Sequence, residues 1–252
     1  MQQFTKAIVR KPGNNFRQGI TSSTLGQPSV NKALEQHNAY CSAIQKCELD
    51  VQVLDADESY PDGCFVEDTA VITEDAAIIT KPGDPARLGE EKKIADVLAR
   101  YKPLEEISLP GKVDGGDILR VGKHFYIGMS ARTNEEGARQ LSEILKKYGY
   151  TSSRIPVKNV LHLKTGVAYL GENTIIASKE FSDYFSFFNI LELSPEEEYA
   201  ANCLLINDNL LIPKGFIKLK TKISDLGYNI IELEMSEFRK MDGGLSCLSL
   251  LF

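Results

Sequence analysis

Hydrophobic positions along this chain come in short bursts of strand length, and the bursts come in pairs. Residues 65–80 (FVEDTAVITEDAAIIT), 113–128 (VDGGDILRVGKHFYIG), 161–177 (LHLKTGVAYLGENTIIA) and 199–213 (YAANCLLINDNLLIP) each hold two runs rich in Val, Ile, Leu, Tyr and Ala around a turn carrying Gly, Asn or Asp. Such residues suit a pleated, half-buried strand, and such turns suit a tight reversal, so each segment predicts a hairpin. After the second hairpin, TNEEGARQLSEILKKYG places Leu141, Ile144 and Leu145 on one helical face. Thr133 and Glu136 read there as a capping box, and Gly149 as the helix stop. The short strand SSRIPV follows. The first hairpin is succeeded by RLGEEKKIADVLARY and LEEISL, the last by FIKLKTKISDLGY and NIIELEM. The predicted unit is therefore strand, strand, helix, strand, repeating at roughly 45 residues.

The two ends complete a fifth unit. MDGGLSCLSLLF at the C-terminus is patterned like VDGGDILRV, and FTKAIVRKPG at the N-terminus like its partner strand, followed by a helical stretch over 30–48 and the strand VQVLDA. Pairing the terminal strands would close a ring and remove its open edges. The expected fold is thus α/β, a five-bladed α/β propeller formed as one catalytic domain over residues 1–252.

In such a ring, equivalent positions of each unit converge on one end of the central axis. Those positions hold Glu67 and Asp68, Asp114, His162, the Ala201–Asn202 pair, and Ser246–Cys247. A strand cysteine by itself reads as core. Cys64 and Cys203 read that way, and Cys41 and Cys47 lie too far apart around a helix to pair on a metal. Cys247 stands out because a DGG turn precedes it and because His162 and two carboxylates occupy equivalent points. His162 interrupts an apolar strand, whereas His37 and His124 fall in polar stretches and read as solvated. Asp114 before two glycines is consistent with a plain turn, although those glycines also allow a ligand to approach the backbone. Consecutive acids at Glu67 and Asp68 in a buried type of strand are costly unless a cation offsets them.

Composition narrows the chemistry. The chain has 252 residues, 42% hydrophobic and 25% charged, with a net charge of −6 and 29 scattered basic residues. No basic stripe suits nucleic acid. No apolar run has membrane-helix length, and the opening residues lack a secretory core. Five cysteines read as free thiols in a cytoplasmic setting. No CxxC, HxxxH, HExxH, phosphate-loop or GxSxG spacing is present, so neither a metal nor another cofactor is expected.

The segments DGCFVEDTAVI, KPGDPARLGE, VDGGDILRVG, MSARTN, VLHLKTG and DGGLSCLSLLF, in this order, resemble the dimethylarginine dimethylaminohydrolase family over essentially the whole chain. That family belongs to a superfamily of five-bladed propellers that modify guanidino groups. The resemblance implies hydrolysis of Nω-methylated arginine to citrulline and a methylamine, through a covalent thiouronium on Cys247. It implies an acid/base role for His162, a triad carboxylate at Asp114, and guanidinium binding by Asp68 with Glu67 beside it. Arg87 and Arg132 match arginines that hold the α-carboxylate, Asp62 and Ile20 the α-amino pocket and its flap, and Phe65 a wall near the guanidinium. The expected partner is a small guanidino amino acid, and the expected assembly a monomer or homodimer. Hydrolysis of unmethylated arginine, as in deiminases and dihydrolases, remains the alternative.

Overall fold

The computed structural model describes residues 3–252, which form five three-stranded sheets. In chain order, β1 (Lys6–Arg10) leads through helix α1 (Val30–Lys46) to β2 (Asp50–Leu54). The next unit runs β3 (Ala70–Ile72), β4 (Ala77–Ile79), α2 (Glu90–Leu98), β5 (Leu104–Glu106). The third runs β6 (Ile118–Val121), β7 (His124–Met129), α3 (Glu135–Lys147), β8 (Thr151–Pro156). The fourth begins with the single-turn helix α4 (Leu163–Gly166), then β9 (Val167–Gly171), β10 (Thr174–Ala177) and β11 (Asn189–Glu192). The fifth holds β12 (Leu204–Ile206), β13 (Asn209–Pro213), α5 (Ile217–Ser224) and β14 (Asn229–Leu233), and a last turn α6 (Ser236–Arg239) precedes β15 (Leu250–Leu251).

Each sheet pairs its first and middle strands antiparallel and its middle and third strands parallel. The chemistry of the connections explains this. A hairpin can close on a few turn residues, with Asn173 and Asn207 taking the left-handed backbone that Asn tolerates. A parallel neighbour needs a crossover, and the helix supplies it. The strand from the C-terminus completes the first sheet: Ala7 pairs with Leu251 and Ile8 with Leu250.

Three local expectations are revised. Asn134, not Thr133, caps α3: its side chain accepts from the Gly137 amide at 2.8 Å, leaving the Thr133 hydroxyl free to donate to Asp117 at 2.7 Å. The fourth unit replaces its crossover helix with the 3-10 turn Ser182–Phe185, and Phe181 and Phe185 at its two ends are fully buried in one apolar cluster. His37 is also buried rather than solvated, with its Nδ1 3.5 Å from the Cys41 sulfur, and burial pushes its imidazole down to about 4.

The core is divided into five apolar clusters, and each joins two sheets. Leu141, Ile144 and Leu145 of α3 pack with Ile78 and Ile107 on one side and Ile118 and Ile127 on the other. Ile94 and Leu98 of α2 meet both Ile8 and Ile79. Leu211 and Leu233 of the last full unit pack with Ala7 and Val9 of the first. Burying a large aliphatic side chain stabilises by about 1.5–3 kcal/mol, so these shared clusters, more than hydrogen bonds, hold neighbouring sheets together. A cavity of 790 Å³ is lined from the first strands of all five sheets, by Val71, Leu119, Tyr169, Leu205 and Leu251 among others. No helix among the described residues is long and apolar enough to cross a membrane.

Candidate active site

Just before the first strand of every sheet the backbone makes a short helical turn: Val66–Thr69, Gly115–Asp117, α4, Pro195–Ala201 and Ser246–Leu248. The chemistry-bearing residues sit in or beside these turns, not in strands as the hydrophobic pattern suggests. Local polar contacts favour the turn over extension. Thr69 Oγ1 donates to the Val66 carbonyl at 2.7 Å, the Asp117 amide to the Asp114 carbonyl at 3.0 Å, and the Thr165 amide to the His162 carbonyl at 3.1 Å.

The turns bring four of the expected groups together. His162 Nε2 lies 3.0 Å from Asp114 Oδ2 and 4.0 Å from Asp68 Oδ1. Asp114 Oδ1 accepts from the Gly83 amide at 2.7 Å, and Asp68 Oδ1 from the Gly116 amide at 2.9 Å. A Cβ on Gly116 would lie 2.7 Å from His162 Nδ1 and 2.9 Å from Asp68 Oδ1, so only glycine fits between them. Cys247 lies close enough to Glu67 and Asp68 for both to act on its charge, and its sulfur accepts from the Gly244 amide at 3.4 Å.

These neighbours set the protonation states. Burial, then Glu67 and Asp68, push the Cys247 thiol up to about 12, against the Gly244 amide and Lys164. Burial alone would lower His162, but Asp68, Asp114 and Asp117 outweigh it and raise the imidazole to about 9. Burial would raise Asp68, but His162 and Arg87 outweigh it and hold it at about 2. The resting site at neutral pH is therefore an imidazolium among carboxylates beside a neutral thiol.

The raised imidazole makes a testable statement about stability. Because the folded form holds this proton more tightly, the stabilisation is fully present below about 6.5 and is lost as pH rises through about 9. Glu90, raised by burial to about 7, adds loss in the same direction at lower pH. The unliganded protein is expected to melt progressively lower from pH 6.5 to 9, by up to about 3 kcal/mol of stability from His162. Thermal melts across that range check this, and a His162→Gly variant should show a flatter profile.

The remaining expected residues are placed as follows. Glu67 bonds Lys164 Nζ at 2.6 Å and Ser246 Oγ at 2.9 Å, and Ser246 and Lys164 are tied by Asn202. This network spans four of the five turns, and its Glu67, Lys164 and Ser246 also line the 790 Å³ cavity. Asp62, raised by burial, accepts from the Ile20 amide at 3.1 Å, so the loop after the 3-10 turn Phe16–Gln18 folds onto it. Phe65 is buried against Phe16 and Phe238, with the Gly243 backbone across its ring. Arg132 stands at the edge, 3.8 Å from Asp114 Oδ2 and 3.5 Å from Asp84.

Arg87 is placed differently from a free carboxylate clamp. It is 4% exposed, and its guanidinium donates to Asp68 Oδ2 at 2.6 Å, to both Glu90 oxygens and to the Phe65 carbonyl. Here it orients Asp68. Sequence reasoning also missed Asp117 and Lys164, although each lies two or three residues from a residue it singled out. Asp68, Asp114 and His162 bring side-chain oxygen and nitrogen atoms within 4.8 Å of one another.

The protein-family profile for N,N dimethylarginine dimethylhydrolase, eukaryotic, matches residues 4–183. The chain is 49% identical to the N(G),N(G)-dimethylarginine dimethylaminohydrolase of Pseudomonas aeruginosa over 99% of this chain and all of that one. It is 33% identical to the enzyme of the same name from Streptomyces coelicolor, covering 97% and 95% of the two chains. A solved Pseudomonas aeruginosa structure, a mutant complexed with citrulline, superposes with a TM-score of 0.98 at 48% identity over the full length of both. The N-terminal domain of ArgZ, a cyanobacterial arginine dihydrolase, shares the fold at a TM-score of 0.88 and 16% identity, covering 98% of this chain and 97% of that one. With its buried imidazole, its two carboxylates and its cysteine turn on one site, this chain belongs to the dimethylarginine dimethylaminohydrolase family.

Proposed function

We propose that this chain hydrolyses Nω-methylated arginine to citrulline and a methylamine, with Cys247 as nucleophile, His162 as proton carrier, Asp114 as its partner and Asp68 as guanidinium anchor. The observation that carries this reading is the meeting of these groups from four separate turns, in a chain matched end to end by a dimethylarginine dimethylaminohydrolase. The five sheets are read as blades of one closed ring over 1–252. The pairing of β15 with β1 and the apolar cluster shared by the last and first units support closure.

Guanidinium carbon is a poor electrophile because its charge is delocalised over three nitrogens. Asp68 and Asp114 can accept its N–H groups and fix its plane for attack. The cation offsets the carboxylates that oppose thiolate formation, so Cys247 gives up its proton to solvent as substrate arrives and His162 stays protonated. Thiolate attack gives a tetrahedral adduct; imidazolium donates a proton to the departing nitrogen, and the amine leaves a thiouronium. Water then attacks, giving its proton to the now neutral imidazole, and collapse releases the ureido product and Cys247. The substrate cation also makes the imidazolium less favourable, bringing His162 down towards a range where it can both give and take a proton.

Arg132 is the readier partner for the α-carboxylate, since Arg87 would have to release Asp68 or Glu90 to reach it. Asp62 and the Ile20 loop are read as the α-amino pocket, and Phe65 as support beneath the cysteine turn rather than an exposed wall. Parallel assays of arginine, monomethylarginine and dimethylarginine, with citrulline measured, test the substrate. A kcat/KM for dimethylarginine at least about 10-fold above that for arginine is expected, about 1.4 kcal/mol of discrimination. Preference for arginine would transfer the chain to the deiminase reading.

A further inference from the structure

Asp117, the second acid of the DGGD stretch, is wholly buried and has no part in the reaction described above. Its three hydrogen bonds each run to a different part of the site. Oδ2 accepts from Thr133 Oγ1 at 2.7 Å, and the Thr133 hydroxyl in turn accepts from the Asp114 amide at 3.2 Å. Oδ2 also accepts from Ser130 Oγ at 2.6 Å, and the Ser130 hydroxyl accepts from the Arg132 amide at 2.9 Å. Oδ1 accepts from the Leu163 amide at 3.0 Å, one residue after His162. Both hydroxyls act as donor on one side and acceptor on the other, so neither can rotate without losing a bond.

We propose that Asp117 is a positioning residue that holds Asp114, Arg132 and His162 in register with one another, and the proposal rests on the reading of His162 as proton carrier. A simple turn cap would need only the Leu163 amide. The two further arms, ending on the backbones of an anchor and of an arginine at the edge of the site, give the carboxylate a wider reach. Its negative charge also acts on His162, alongside Asp68 and Asp114, in keeping the imidazole protonated. Burial pushes Asp117 itself up to about 6, so at neutral pH it is ionised and that influence is present. Gly128 leaves room for it: a Cβ there would lie 2.8 Å from Asp117 Oδ1.

Asp117→Asn keeps the shape and removes the charge. Two readouts separate positioning from bulk stability. NMR titration of His162 in the unliganded variant is expected to show its midpoint lowered by about half a unit or more. Steady-state kinetics are expected to show kcat/KM lowered about 10-fold or more, through misplacement of groups that remain present. An unchanged His162 midpoint, together with kcat/KM within about twofold of the parent, overturns the proposal. If Asp117→Asn does not fold, Thr133→Val and Thr133→Ser carry the test through one arm. Valine should lose about 10-fold and serine, which restores the hydroxyl, should recover most of it; equal activities overturn the proposal. Should the parent protein turn over no methylated arginine at all, the functional reading falls, and the His162 titration still decides the role of Asp117.

Discussion

Cys247→Ser is expected to lower kcat by at least about 10³-fold while leaving the fold and substrate binding in place. The two side chains differ by one atom, and Ser246–Leu248 forms its turn through backbone bonds and the Asn202 amide, none of which involves the sulfur. The chemical difference is ionisation. A thiol already pushed up to about 12 by burial, Glu67 and Asp68 becomes a usable thiolate once a guanidinium neutralises those acids and the Gly244 amide supports the anion. A serine hydroxyl starts several units higher, and no base in the site is placed to remove its proton, since His162 is already protonated. Citrulline assays on the variant, with a melting curve as control, check this. Mass spectrometry of the quenched parent enzyme should show the covalent intermediate, and the variant should show none. Substantial turnover by the serine variant would remove Cys247 from the mechanism.

The second large effect is expected at His162→Gly, with kcat down by about 10²–10⁴-fold, the range typical of a lost acid/base group. In the proposed mechanism both halves of the reaction use the imidazole: the amine must leave protonated, and the hydrolytic water must lose a proton. The parent enzyme should therefore lose activity on the alkaline side as the imidazolium gives up its proton. In the free protein that occurs at about 9; the bound cation should bring it lower. The glycine variant should lack this alkaline limb, and added imidazole should restore part of the rate by occupying the vacated space. A pH–rate profile whose alkaline limb survives in the glycine variant would assign that limb to another group.

Much of the fold was legible because its signals are local. Paired apolar runs of strand length, Asn or Gly in the hairpin turns, and the apolar face of Leu141, Ile144 and Leu145 need no tertiary context to read. The split unit was legible as well, since 241–252 repeats the pattern of 113–121 and the two ends do pair. The helix missing from the fourth unit was not, because Phe181 and Phe185 are drawn into a core contributed partly by the preceding sheet. His37 misled for a related reason: its neighbours in the chain are polar, but the face it occupies on α1 is turned inward.

For the site, equivalence of position within the repeat was enough to single out Asp68, Asp114, His162 and Cys247 before any coordinates. It could not say that these residues sit in helical turns, because an apolar run of a few residues reads alike in a strand and in a buried turn. Nor could it reveal what supports them. Arg87 resembles a substrate arginine in its motif, yet its guanidinium is engaged by Asp68 and Glu90. Lys164 looks like an ordinary basic residue until it meets Glu67, which lies 97 residues away.

The amino-acid sequence by itself determined the repeat, its period, the pairing of the ends, the family and the residue types available for chemistry, because periodicity and motif are properties of neighbours along the chain. Only the tertiary structure decided how burial and neighbours bias the charge of each group and which partners engage each arginine, because ionisation and hydrogen bonding depend on residues brought together across the fold.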